Sequence, residues 1–252
     1  MTVVVLTAIG VGGATMLGAV LGFIFKKTTH AFSDIVLSFA AGVMLAAAVF
    51  GLIEPSLSYG GKFTLLITVV GVFSGALCLT AIDRLVPHLH KFAGVDEENH
   101  PESSKKLSKI LLFVIAIAIH NFPEGIAAGV GFGTGDTASA LTIAGGIALQ
   151  NIPEGMVIIA PMLATGISRS RTLIIALFTG AIEVFGTLIG YFATSISDAV
   201  LPFALAFAGG TMLYVISDEM IPETHSHGSE SGATYALLIG FSFMLALDWI
   251  LG

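Results

Sequence analysis

Charge is what this sequence has least of. Of its 252 residues only 11% are Asp, Glu, Lys or Arg, where a soluble domain carries about a quarter. The 55% that are hydrophobic exceed what one water-solvated core takes up, and they imply several segments solvated by lipid. Cysteine is nearly absent: Cys78 stands alone in an apolar run, which excludes an intrachain disulfide and leaves the redox compartment open. With 10 basic against 17 acidic residues and a net charge of −7, no nucleic-acid partner is expected. No G-x-x-x-x-G-K phosphate loop occurs, so ATP hydrolysis within this chain is not supported, and no H-E-x-x-H zinc-protease motif occurs either. The opening "MTVVVLTAIGVGG" has no basic leader and reads as a first span that is retained, not as a cleaved signal.

What is present is a succession of eight apolar segments, at 2–25, 35–57, 63–86, 108–132, 138–163, 172–195, 199–219 and 233–251. Most match the roughly 20 residues that cross a hydrocarbon core about 30 Å thick. Alternating barrel strands are absent, so the expected fold is all-α, an integral membrane bundle of eight transmembrane helices forming one domain over 1–252. Nine of the ten basic residues (Lys26, Lys27, Arg84, Lys91, Lys105, Lys106, Lys109, Arg169, Arg171) fall on one side of such a bundle, and only Lys62 on the other. By the positive-inside rule that side is the cytoplasm, which puts both termini outside a bacterial-type plasma membrane and 87–107 in a cytoplasmic loop. Glycines recur at four-residue spacing (Gly18 and Gly22, Gly71 and Gly75, Gly125 and Gly129, Gly186 and Gly190), a pattern that lets helix backbones approach closely.

Polar groups interrupt this apolar frame in one place, twice. Residues 119–129 read "IHNFPEGIAAG" and 149–161 read "LQNIPEGMVIIAP". His120, Asn121 and Glu124 share a helical face by their i, i+3 and i+4 spacing, and Gln150, Asn151 and Glu154 repeat the arrangement. Pro123 and Pro153 withhold an amide hydrogen, so spans 4 and 5 are expected to kink and to free the carbonyls of Ile119 and Leu149. Depth follows from helix rise. His120 lies eleven residues past Lys109 and Glu183 twelve past Arg171, both roughly 16–18 Å at 1.5 Å per residue, near the midplane. Gln150, about a dozen residues in from the other face, reaches the same level. Glu124, Glu154 and Glu183 therefore sit deep in spans 4, 5 and 6, with no Lys or Arg deep in any span. Buried carboxylates without basic partners bind protons, a metal ion, or both. The loop histidines His88, His90, His100, His225 and His227 read first as solvated side chains, with transient metal capture as the alternative.

At these residues the chain resembles the ZIP (Zrt-, Irt-like protein) family of divalent-metal transporters. "HNFPEG" in span 4 and "QNIPEG" in span 5 carry the resemblance, the span count and loop placement extend it over the whole chain, and the similarity is greatest to the bacterial GufA-like branch. The resemblance implies a midplane metal site between the Pro-kinked spans, with His120, Asn121 and Glu124 as one half and Gln150, Asn151 and Glu154 as the other. Glu183 in "TGAIEVFG" would complete a second, adjacent ion position. Met44 in "AAGVMLAAA" matches a position that contributes a soft thioether, though a packing methionine is an equal reading. Asp218 and Glu219, followed by His225 and His227, resemble an exit relay. One departure matters: many members have histidine where this chain has Gln150, which makes that half-site harder and less zinc-specific. The cargo implied is zinc first, with cadmium, iron and manganese as alternatives; no prosthetic group is implied, and a homodimer is left open. Two other readings remain at this point, a proton- or sodium-coupled carrier of another substrate and an intramembrane metalloenzyme.

Overall fold

The computed structural model describes residues 1–24, 29–59, 61–92, 121–164, 167–196, 199–228 and 230–251, and all regular structure among them is helical. Helix α1 spans Thr2–Ile24 and α2 spans His30–Ala46. A π-helical segment, Ala47–Ile53, links α2 to α3 (Glu54–Tyr59), and α4 runs over Thr64–Phe92. Helix α5 occupies 121–131, followed by α6 (Thr137–Val157) and α7 (Ile159–Ala164). Helix α8 covers Arg169–Ile196 and α9 Leu201–Val215. A second π-helical segment, Ile216–Met220, leads into α10 (Ile221–Thr224), and α11 closes the chain at Glu230–Leu251.

Six stretches among the described residues are long and apolar enough to cross a membrane: Thr2–Ile24, His30–Tyr59, Gly61–Ile82, Arg169–Ser195, Leu201–Thr224 and Glu230–Ile250. They coincide with the expected spans 1, 2, 3, 6, 7 and 8. Helix α6, the body of the expected span 5, is long enough, but Gln150, Asn151, Pro153 and Glu154 lower its hydropathy. Of the expected span 4, only the part from 121 onward lies within the described residues; His120 lies outside them.

Helix ends depart from the hydropathy boundaries for a physical reason: hydropathy marks where a chain leaves lipid, not where its backbone hydrogen bonds stop. Helix α2 begins at His30, five residues before the expected span, because Thr29 caps it and accepts from the Phe32 amide at 3.2 Å. Helix α4 continues to Phe92, so the first six residues of the expected 87–107 loop are helical, and the rest lie outside the described residues. Asp136 caps α6 by accepting from the amides of Ala138 (2.9 Å) and Ser139 (3.2 Å).

Packing follows the glycine pattern. Helix α1 lies against α6 and α8, α2 against α11 and α6, and α4 against α9. All four glycine pairs read from the sequence stand at these or equivalent contacts. A Cβ on Gly18 would fall 2.2 Å from the Ile152 carbonyl oxygen, and one on Gly125 would fall 2.3 Å from that of Glu183. The outer surface is apolar, with Leu6, Phe73, Leu77, Phe178 and Phe185 largely exposed, while Thr15, Asn121, Glu124, Gln150, Asn151 and Glu183 are buried. Polar groups inside and hydrocarbon outside is the distribution of a helix bundle solvated by lipid.

Candidate metal site

Three helices and α1 meet at one level because their backbones touch there. Gly125 of α5 fits against the Glu183 backbone of α8, and Gly155 of α6 fits against the Thr15 carbonyl of α1, where a Cβ would come within 2.3 Å. Without side chains to hold the helices apart, short polar groups on either side of these glycines bridge the gap.

Glu183, near the middle of α8, is the most heavily bonded of them. Its Oε1 accepts from the Thr15 hydroxyl at 2.5 Å and from Asn121 Nδ2, and its Oε2 accepts from Asn151 Nδ2 at 2.6 Å. Asn151 Nδ2 also reaches the Val11 carbonyl at 3.4 Å. Glu124 has a single described hydrogen bond, from Gln150 Nε2 to its Oε1 at 2.9 Å. The two repeated motifs are thus crossed. From α5, Asn121 serves Glu183 while Glu124 takes a bond from α6; from α6, Gln150 serves Glu124 while Asn151 serves Glu183.

Every described donor to Glu124 and Glu183 is neutral. Glu154 is half-buried, and the three carboxylates lie close enough for their charges to repel one another. Four buried oxygens around them, Asn121 Oδ1, Glu124 Oε2, Gln150 Oε1 and Asn151 Oδ1, have no hydrogen-bond donor among the described residues. A buried acceptor left without a donor costs about 1–3 kcal/mol, and four in one place suit a cation. Oxygen donors of this kind hold hard and borderline divalent ions. Among the described residues no three His, Cys, Asp or Glu side chains gather within reach of one ion; the buried amide oxygens of Asn121, Gln150 and Asn151 are the further oxygen donors at hand.

The remaining expected residues are distributed unequally. Met44 is fully buried in the apolar core of α2. Asp218 and Glu219 ride on the π-helical segment Ile216–Met220, with Asp218 exposed and Glu219 half-buried. His225 is held at both ring nitrogens, by the Ile221 carbonyl (2.9 Å) and Thr224 hydroxyl (3.2 Å) on Nδ1 and the Thr234 hydroxyl (3.1 Å) on Nε2. It ties the end of α10 to α11 and has no ring nitrogen left for an ion. His227 stands apart from it and bonds to Asp34 at the start of α2. Thr15 is the site residue that sequence reading missed. The signal available was its position three residues from both Gly12 and Gly18, on the small-residue face of span 1.

The family model described as ZIP Zinc transporter matches residues 96–248. The zinc transporter GufA of Myxococcus xanthus is 42% identical over 81% of this chain and 81% of its own length. The zinc transporter ZIPB of Bordetella bronchiseptica is 36% identical over 95% of this chain and 78% of its own. Zinc transporter ZIP11 of Xenopus tropicalis is 30% identical over 95% of this chain and 94% of its own. Together with the doubled Pro-Glu-Gly motifs crossed over one buried cluster, these similarities decide the assignment: the chain belongs to the ZIP zinc transporter family.

Proposed function

We propose that this chain is an eight-span carrier that moves divalent metal, zinc first, into the cytoplasm through the cluster between spans 4, 5 and 6. The observation that carries the reading is the buried set of Glu124, Glu183, Gln150, Asn121 and Asn151, in which four oxygens lack donors. An ion that leaves water must be re-solvated, and this cluster supplies oxygen ligands while its carboxylates offset the ion's charge. His120, which precedes Asn121 in the sequence, adds the nitrogen ligand that favours zinc over harder ions. Glu154 lies on the same face of α6 as Gln150 and Asn151 and acts with Glu124. Pro123 and Pro153 sit one residue before each glutamate, where kinks free carbonyls to face the ion.

Orientation follows the basic residues, with both termini outside and the ion released toward Asp218 and Glu219. Cadmium, iron and manganese are alternative cargo. The names of the relatives favour a transporter over an enzyme. The test is uptake of radiolabelled zinc into proteoliposomes holding the purified chain. Glu124→Ala combined with Glu154→Ala should abolish uptake, and an undiminished rate in that double variant would overturn the site.

A further inference from the structure

A second cluster of metal-ligating side chains stands apart from the midplane, at the N-terminal end of α2. His30, Asp34 and Ser38 follow one another at four-residue spacing, so they form a stripe along one face of the helix. Asp34 is buried and so is Ser38. The turn after α10 brings His227 onto this stripe. Its Nδ1 lies 3.1 Å from Asp34 Oδ1, and its ring stacks on that of His30 with centroids 4.8 Å apart. Ser226 Oγ stands 3.2 Å and 3.4 Å from the two nitrogens of His227 and donates to the Glu223 carbonyl at 2.8 Å. Asp34 lies ten residues from Met44, which is about 15 Å of helix.

A plain ion pair accounts for only half of this. His227 satisfies Asp34 Oδ1, yet Asp34 Oδ2 is buried without a hydrogen-bond partner among the described residues, and Ser38 Oγ behind it is likewise unpartnered. A buried carboxylate oxygen is costly to leave unpaired. Two imidazoles and a carboxylate are the ligand types that hold zinc in proteins. As they stand the three are not gathered around one point. His30 is exposed and His227 has 31% of its side chain exposed, whereas Asp34 is buried; gathering the set around one ion requires His227 to exchange its present bond to Asp34 Oδ1 for the ion.

We propose that His30, Asp34 and His227 form a second divalent-metal site, selective for ions that accept imidazole. Ions held there bind at the end of the bundle, and Ser38 offers a polar step on the way from the interior. The binding itself stands on this geometry alone; only its role as a station on the transport route rests on the proposed function above.

Equilibrium dialysis of the full-length chain in detergent against buffered free zinc tests it, with bound zinc counted per chain. His30→Gln and His227→Gln alter exposed side chains, and Asp34→Asn keeps the buried shape. Each should remove one bound zinc or weaken it on the order of tenfold or more, the size of effect seen when even an outer partner of a metal ligand is lost. A Glu124→Gln, Glu154→Gln variant should retain this ion. If His30→Gln and His227→Gln both bind zinc as the unaltered chain does, the second site does not exist and the contact is only a latch between α2 and the turn after α10. If the site persists while proteoliposomes show no uptake, the transport reading fails and this one survives.

Discussion

Two buried carboxylates of one cluster have opposite surroundings. Both oxygens of Glu183 are engaged, by one hydroxyl and two amides drawn from three helices. Glu124 has one oxygen engaged by one amide, and its Oε2 has no donor among the described residues. The difference assigns them different work. Glu183 is an anchor that ties α1, α5 and α6 to α8, whereas Glu124 keeps one buried oxygen without a donor among the described residues. Burial alone does not distinguish them, since both are almost wholly removed from solvent.

The sharpest way to break the comparison is to delete each carboxylate in turn. Glu183→Ala strands the Thr15 hydroxyl and the Asn121 amide, at about 1–3 kcal/mol each, and leaves Asn151 Nδ2 only its long bond to the Val11 carbonyl at 3.4 Å. Thermal unfolding in detergent should shift down strongly, by about 3 kcal/mol or more in stability, and zinc uptake should vanish. Glu124→Gln leaves an amide oxygen for Gln150 Nε2 to donate to, so its unfolding should stay close to that of the unaltered chain while uptake is lost. Equal unfolding shifts in the two variants would show that Glu183 is no more an anchor than Glu124.

A smaller effect is expected from Thr15→Val, which keeps the shape and removes one donor to Glu183. The loss of one hydrogen bond to a carboxylate is worth about 1.5–3 kcal/mol, with two amides remaining to hold Glu183 in place. Uptake should fall partially and stability modestly. A Thr15→Ser variant retains the hydroxyl and should recover most of both; failure of Ser to rescue would mean that the threonine acts through packing.

The meeting of the two motifs with Glu183 was legible in the sequence because helix rise is fixed. Counting from Lys109 and Arg171 puts the motif and Glu183 at one depth, and Gln150 and Asn151 do meet Glu124 and Glu183. Thr15 was not legible, because a lone threonine in an apolar helix is commonplace and its register depends on the fit of Gly12 to Gly180 and Gly18 to Ile152. Asp34 was hidden by a boundary: with span 2 taken to begin at 35, it reads as a loop charge, whereas the Thr29 cap makes it a buried residue of α2. The π-helical segments at Ala47–Ile53 and Ile216–Met220 left no mark in composition, since their extra residue per turn is set by packing against neighbours. Loop histidines looked alike in sequence, yet His225 is a fixed cap and His227 a partner of Asp34.

The finest distinction lies in Gln150, the one position where the two motifs differ in ligand chemistry. Its Nε2 is committed to Glu124 at 2.9 Å, and its Oε1 is buried with no donor among the described residues. An amide oxygen is a hard, weak ligand, and an imidazole nitrogen in its place suits zinc better than manganese. Gln150→His should therefore leave zinc uptake at saturation nearly unchanged while manganese competes less well against zinc. A tenfold change in that competition corresponds to about 1.4 kcal/mol, the scale of one ligand exchanged in a set of several. Histidine at 150 still places a ring N–H within reach of Glu124, so the anchor on that side survives and unfolding should move little. An unchanged competition profile would mean that Gln150 Oε1 does not face the ion, and that selectivity is set by His120 and the carboxylates instead.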